Sequence, residues 1–234
     1  MDITTLTAEW AAKHKMCCLT FKTIGSTNDY AKSDTQDTAL ILAEHQTAGR
    51  GRKQRLWEDE GQGRSLLASF CFWQEGNSPQ PILAPLLGLA LIQSLESHFE
   101  GDFSLKAPND VYLGGRKLAG ILIEMIQTGP RTKIIIGLGL NVLALRHDHP
   151  ERAALVKLNE LDEGFSKQWS GFLDQLYQAW TELSTQPPAM IAANECQALL
   201  IRLRKNQHHQ DLSVVSTNGS LQKTDGTWIH WENL

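Results

Sequence analysis

Four cationic side chains, Arg50, Arg52, Lys53 and Arg55, fall within six consecutive positions of the stretch TAGRGRKQRLW. Gly49 and Gly51 alternate with the first arginines, so the backbone can turn tightly and aim amide N–H groups at a ligand. Guanidinium forks match the oxygens of phosphate or carboxylate, so the chemistry suggested is anion binding. The competing readings are a solvated basic turn and a nucleic-acid patch. Like charges this crowded repel, which predicts a loop that is mobile until an anion neutralises it.

A second constellation is KAPNDVYLGGRKLAGILIE. Asn109 and Asp110 follow Pro108, where the chain must leave regular structure, and polar side chains there can reach a ligand or a cation. Lys117 sits in the turn before an apolar strand. It is either a surface lysine with its stem on apolar neighbours or a point charge beside a reacting carboxylate or phosphate. In GSTND, Ser26 and Thr27 either cap a helix or hydrogen-bond a neutral polar ligand group. In GLGLN, Gly137 to Asn141, small residues admit another backbone or a nucleotide, or simply relieve a strand pair. His147 and His149, and the pair His208-His209, lack the spacing of a zinc site and read as surface residues. No GxSxG, HExxH or P-loop occurs.

The elements that must position these residues can be read from periodicity. CCLTFKTIGSTND predicts a strand, a turn at Gly25 and a helix capped by Ser26 or Thr27. TALILAEH, a continuous apolar run, predicts a buried strand leading into the basic loop. SLLASFCFW predicts a strand, and PILAPLLGLALIQSLESHF a helix opened by Pro81 and Pro85. FSLKAPNDVYL reads as a strand broken at Pro108. GGRKLAGILIEMI and KIIIGLGLNVLAL predict a hairpin across QTGPRT. Residues 166 to 183 place Trp169, Phe172, Leu173, Leu176, Tyr177, Trp180 and Leu183 on one face of an amphipathic helix. Pro187-Pro188 marks a boundary. A further helix before residue 205 and short strands in LSVVST and GTWIHW follow. Strands and helices alternate less regularly than in a doubly wound fold, so the expected class is α/β, a mixed sheet with helices mainly on one face.

The chain has 234 residues, 41% hydrophobic and 21% charged, and a formal charge of −4, with an isoelectric point near 6.1. That size buries a core without metals or disulfides, and the negative balance argues against broad binding to nucleic acid or membrane surfaces. Cys17, Cys18, Cys71 and Cys196 form no CxxC pair and read as free thiols. MDITTLTAEW shows no signal-peptide pattern, and no apolar run is long enough to span a membrane, so the expected location is the cytoplasm.

Taken in order, GSTND, EHQTAGRGRKQRLW, KAPNDVYLGGRKLAGILIE and IIIGLGLNV resemble the catalytic domain of biotin protein ligases, closely over residues 20 to 145 and more loosely to about 185. The GRGRxxRxW loop and the PND…KLAGIL segment are specific to that family; related lipoate ligases and octanoyltransferases generally lack the loop. The resemblance implies the biotin/lipoate protein ligase α/β fold, akin to class II aminoacyl-tRNA synthetases, over residues 1–186. It implies ATP-dependent attachment of biotin, through biotinyl-5′-AMP, to a lysine of a biotin carboxyl carrier protein. Lys117, Arg50 and Arg52 are then the catalytic cations. Ser26, Thr27, Asn28 and Gln46 meet the biotin ring, with Gly49, Gly51 and Gly120 giving close backbone approach. Trp57, Asn109 and Asn141 lie on the nucleotide side. Asp110 is the candidate neighbour of Mg2+. Two departures stand out. Ala107 replaces the tryptophan of the usual KWPND, which must leave space for another side chain or for ligand. Residues 187–234 match the family's small SH3-like terminal barrel poorly. No DNA-binding winged helix precedes the first motif, so repressor activity is not expected, and a monomer or a homodimer is compatible with the family. The alternatives are a lipoate- or octanoate-type ligase on the same fold and a non-catalytic nucleic-acid module.

Overall fold

The computed structural model describes residues 2–34, 36–59, 61, 63–76, 82–143, 150–156 and 163–231. Seven strands form one sheet in the order β1-β2-β3-β7-β6-β5-β4. They are β1 (Cys18–Phe21), β2 (Leu40–Ala43), β3 (Ser65–Glu75), β4 (Phe103–Lys106), β5 (Asp110–Leu113), β6 (Arg116–Thr128) and β7 (Arg131–Asn141). β1 and β2 run parallel; every other neighbouring pair is antiparallel. The sheet is therefore mixed, as the irregular alternation predicted. Gly114 and Gly115 both take positive φ, 55° and 78°, in the two-residue turn between β5 and β6, a conformation that favours glycine.

Side chains alternate between the faces of a strand, and the two faces here differ in kind. Leu66, Ala68, Phe70 and Phe72 of β3 and Ile134, Ile136, Leu138 and Leu140 of β7 belong to the main buried core. That core is completed by α1 (Ile3–Lys13), α3 (Leu83–His98) and α4 (Glu163–Thr185). The predicted face of α4 is the buried one: Trp169, Phe172, Leu173, Leu176 and Trp180 are at most 1% exposed. Each such burial is worth about 1.5–3 kcal/mol, which holds the helix layer to the sheet. The opposite face carries one short helix, α2 (Thr27–Ser33), whose Ala31 packs with Ile41, Cys71 and Ile135. Helices thus lie mainly on one face, leaving much of the other for a site.

Local expectations are corrected or extended at four places. The amino-terminal stretch is helical: Asp2 caps α1 by accepting from Thr5 N–H at 2.7 Å, and Trp10 is buried. The break at Pro108 is a hairpin, since β4 and β5 pair directly across a cis Ala107–Pro108 bond. Residues past Pro188 form α5 (Ala193–Lys205) and a three-stranded antiparallel sheet of β8 (Leu212–Val215), β9 (Ser220–Lys223) and β10 (Trp228–His230). Leu199, Leu203, Leu212, Leu221 and Trp231 continue the main core. His209, expected on the surface, is 6% exposed, and its Nε2 accepts the Ala107 N–H at 3.0 Å. His147 and His149 lie outside the described residues. All four cysteines are free. Among the described residues no helix is long and apolar enough to cross a membrane.

Candidate active site

A cavity of roughly 1010 Å³, counted with its open mouth, lies on the sheet face opposite the main helix layer. Its floor is made by β3, β6 and β7, and its walls by the start of α2, the loop after β2, and the β4–β5 turn.

One end is neutral and polar. Ser26 caps α2, accepting from Asp29 N–H at 3.3 Å. The next residue, Thr27, donates from both its N–H (2.8 Å) and its hydroxyl (3.2 Å) to Gln46 Oε1. Those bonds engage the Gln46 oxygen and leave its amide N–H2 to offer a ligand. Asn28 is 4% exposed and donates from Nδ2 to Leu122 O and Glu124 Oε2. Beneath them, the fully buried Ser69 hydroxyl lies 2.8 Å from Thr27 Oγ1 and also within reach of Asn28 Oδ1. Gly137 is small because the Asn28 amide occupies the space its Cβ would need. The approach that GLGLN permits at this position is by a side chain.

The other end is cationic. The basic loop folds back as a small hairpin, with Trp57 N–H donating to Gly49 O (2.8 Å) and Gly51 N–H to Arg55 O (2.7 Å). Arg52–Gln54 form a 3-10 turn at its tip, with Lys53 at φ 54°. Trp57 lies on Gly139 and Gly120: a Cβ on Gly139 would sit 2.5 Å from the indole, and one on Gly120 would sit 3.2 Å away. The indole N–H is buried without a partner. Lys117 is not in the turn but is the second residue of β6, with its side chain 33% exposed. Its ammonium is 2.9 Å from Asp110 Oδ1 and 5.4 Å from the Trp57 ring centroid. Its backbone is fixed on both sides by Glu151 O and Ala153 N–H. Lys106 also lines the cavity and lies 3.3 Å from the Tyr112 hydroxyl.

Arg50 is held at the mouth by acids. It pairs closely with Asp29 and reaches both Glu124 oxygens at 3.1 and 3.2 Å; Lys32 bridges the same two carboxylates. The Arg50 hydrogen bond is the chief cause that holds the Asp29 carboxyl below the usual range. Burial alone would raise Glu124, but hydrogen bonds from Asn28 and Lys32 and the charge of Arg50 keep it ionised and low. Arg50 is raised in turn, chiefly by the Asp29 hydrogen bond.

The structure thus brings Ser26, Thr27, Asn28, Gln46, Arg50, Gly51, Arg52, Trp57, Asn109, Asp110, Lys117 and Gly120 to one cavity. Gly49 and Asn141 are not among its lining residues. Gly49 packs on Gln46 and the Trp57 carbonyl, and the buried Asn141 lies at the end of β7, 3.5 Å from the Ser65 hydroxyl. The Asn109 amide donates to Ile121 O at 2.8 Å, which leaves Asp110 as the carboxylate a cation could meet. No cluster of three metal-ligating side chains exists among the described residues. Sequence reading missed Ser69, Glu124, Asp29 and Lys32. An acidic Glu124 inside the apolar run GILIEMI was the one available signal. The Ala107 position lines the cavity, and the Pro108 carbonyl beside it accepts from the Trp231 indole at 2.9 Å.

Comparison with known proteins supplies a family and a fold. The model of the biotin/lipoate A/B protein ligase family matches residues 20–141. The chain is 34% identical over 127 residues to the bifunctional ligase/repressor BirA of Escherichia coli (strain K12), covering 53% of this chain and 40% of that one. It is 29% identical over 175 residues to the biotin–[acetyl-CoA-carboxylase] ligase of Mycobacterium tuberculosis, covering 72% and 64%. The chain therefore spans less than two thirds of the length of these curated relatives. In fold it resembles the biotin protein ligase from Aquifex aeolicus solved with biotin and ATP, at TM-score 0.65 and 24% identity over 91% of this chain and 94% of that one. The biotin acetyl coenzyme A carboxylase synthetase from Helicobacter pylori gives TM-score 0.59 and 20% identity over 90% and 97%.

Proposed function

The chain belongs to the biotin/lipoate A/B protein ligase family, and on that footing we propose that it is an ATP-dependent biotin ligase. It first forms biotinyl-5′-AMP and then passes the biotinyl group to a lysine of a biotin carboxyl carrier protein, such as an acetyl-CoA carboxylase subunit. The observation that carries this reading is the division of the cavity into a neutral hydrogen-bonding end and a cationic end. Biotin has the same division, a neutral ureido ring and a carboxylate tail.

The reaction suits these residues. A carboxylate oxygen of biotin attacks the α-phosphorus of ATP, the bond to the β-phosphate oxygen breaks, and pyrophosphate leaves. Both reactants are anions, so preorganised cations must offset their repulsion. Lys117 is assigned to the junction of carboxylate and α-phosphate, and it must exchange Asp110 for the ligand to act there. Arg52, at the hairpin tip, is assigned to cover the adenylate and exclude water, because the mixed anhydride hydrolyses when exposed. A carrier lysine amine then attacks the acyl carbon, its proton is lost and AMP departs. Asn28, Thr27 and Gln46 orient the ring through the hydrogen-bonding groups described above, and the Trp57 indole N–H is a donor for the ligand. Mg2+ commonly uses one or two carboxylates and otherwise substrate phosphates. Asp110 fits that limited donor role, and the metal would supply charge neutralisation at the phosphates. Residues 1–186 are taken as the catalytic domain and 187–234 as a small terminal region. The cytoplasm, where ATP and carrier are both present, is the proposed location.

Biotin-dependent exchange of labelled pyrophosphate into ATP tests the proposal. Exchange that requires biotin supports it. Exchange that requires lipoate or octanoate instead would replace it with the other branch of the family.

A further inference from the structure

Arg50 carries the first positive charge of the loop, and acids already hold it. Two carboxylates from different elements, Asp29 of α2 and Glu124 of β6, engage its guanidinium. The same Glu124 accepts from Asn28 Nδ2 at 2.9 Å, and its side chain is 20% exposed. One carboxylate therefore touches both the neutral end of the cavity and the base of the cationic hairpin. Farther along the loop, Asp59 is 1% exposed at its side chain and bonds His45 Nδ1 at 2.8 Å and Gln46 N–H at 3.1 Å. The hairpin is thus tied to the body at both ends, and the segment left between the ties is its tip.

We propose that Glu124 is a positioning residue that latches Arg50 as the fixed hinge of the hairpin and couples its seating to Asn28 at the ring-binding end. Arg50 then anchors the flap, and the adenylate is covered by the cations of the tip. Asn28, itself held by Leu122 O and Ser69, steadies Glu124, and through it the hairpin base. The latch itself stands on geometry; its consequence for the adenylate rests on the biotin-ligase reading.

The test compares wild type with Glu124→Gln and Glu124→Asp in the whole chain. The amide introduced by Glu124→Gln can still accept from Asn28 but has no charge for Arg50. The first readout needs no catalysis: trypsin nicking after Arg52, Lys53 or Arg55 without ligand. Loss of a partly buried charged hydrogen bond should raise the nicking rate about five-fold in Glu124→Gln, with a melting temperature lowered by no more than about 4 °C. Adding Glu124→Gln to Arg50→Met should raise nicking little beyond Arg50→Met alone, because the contact that Glu124 makes with the guanidinium is already gone. The second readout is dissociation of biotinyl-5′-AMP, which should be faster in Glu124→Gln, while kcat for adenylate formation changes less. Unchanged nicking in Glu124→Gln, or additive effects with Arg50→Met, overturns the latch. Should Glu124→Gln unfold, Glu124→Asp takes its place: its carboxylate is one methylene short of the guanidinium, so the same rise is expected and an unchanged rate again overturns the proposal. If wild type shows no biotin-dependent exchange while nicking responds as expected, the functional reading fails and the latch stands.

Discussion

At one end of the cavity Thr27, Asn28, Gln46 and Ser69 bond to one another before any ligand arrives, and three of the four are buried. At the other end Arg50, Lys117 and their partners Asp29, Glu124 and Asp110 are ion pairs with 17–49% of their side chains exposed. The neutral end is rigid because polar groups buried in a low-dielectric setting must be satisfied where they stand. The charged end is exchangeable at Lys117, because its partly solvated pair with Asp110 is worth little, so an anionic ligand can replace that carboxylate. Recognition by shape and transfer by charge thus need different materials: one end fixes the ring, and the other must trade partners during the reaction.

Lys117→Ala breaks this contrast most severely. An exchangeable ammonium at the reacting junction is worth about 10³-fold in adenylate formation, measured by biotin-dependent pyrophosphate exchange, with KM for biotin much less changed. The melting temperature should move little, since the Asp110 pair is partly exposed. Gly139→Ala comes next. Its Cβ would collide with the Trp57 indole, so overpacking should cost about 1–3 kcal/mol in unfolding free energy and displace the hairpin base, weakening nucleotide binding more than biotin binding. Thr27→Val acts at the rigid end: without its hydroxyl, Gln46 loses one donor and Ser69 one neighbour. KM for biotin should rise about ten-fold with kcat nearly preserved. A fall in kcat at constant KM would show that the neutral end takes part in the chemical step.

The sequence revealed the two ends unequally. The strands and the α4 face were legible because Trp169, Phe172, Leu176 and Trp180 recur at helical spacing and are indeed buried. The neutral end was half legible: GSTND announced a cap, but its partner Ser69 is 42 residues away on a strand whose neighbours gave no polar signal. The charged end was visible as a list of cations and invisible as a set of pairs. Glu124 and Asp29 meet Arg50 only because β6 and α2 converge on the loop base, a long-range contact that no local period encodes. The α1 helix was missed because its β-branched start, ITTLT, reads weakly as helix until Asp2 caps it. His209 was taken for a surface residue because nothing local shows that the β4–β5 turn closes over it.

That last contact gives the smallest and most specific test, because it braces the charged end alone. His209 Nε2 accepts the Ala107 N–H, so the ring must be neutral with its proton on Nδ1. Burial, helped by the nearby charges of His208, Lys106 and Lys223 and opposed by Asp211, pushes its pKa below the ordinary value. Below about pH 6.5 the unfolded chain therefore takes up more protons at this site than the folded one. The stabilisation is complete above that pH and is lost as the pH falls through the depressed folded-state value. Protonation removes the acceptor beneath the Ala107–Pro108 turn, at a cost of about 1 kcal/mol for one hydrogen bond. Melting curves at falling pH should show wild type losing stability relative to His209→Gln, whose side chain does not titrate. Nucleotide affinity should follow the same curve in wild type, because Asn109 and Asp110 ride on that turn, while biotin contacts at Thr27 and Gln46 do not. Parallel loss of biotin and nucleotide binding would mean that the two ends share one support, and the division between a fixed end and an exchanging end would have to be abandoned.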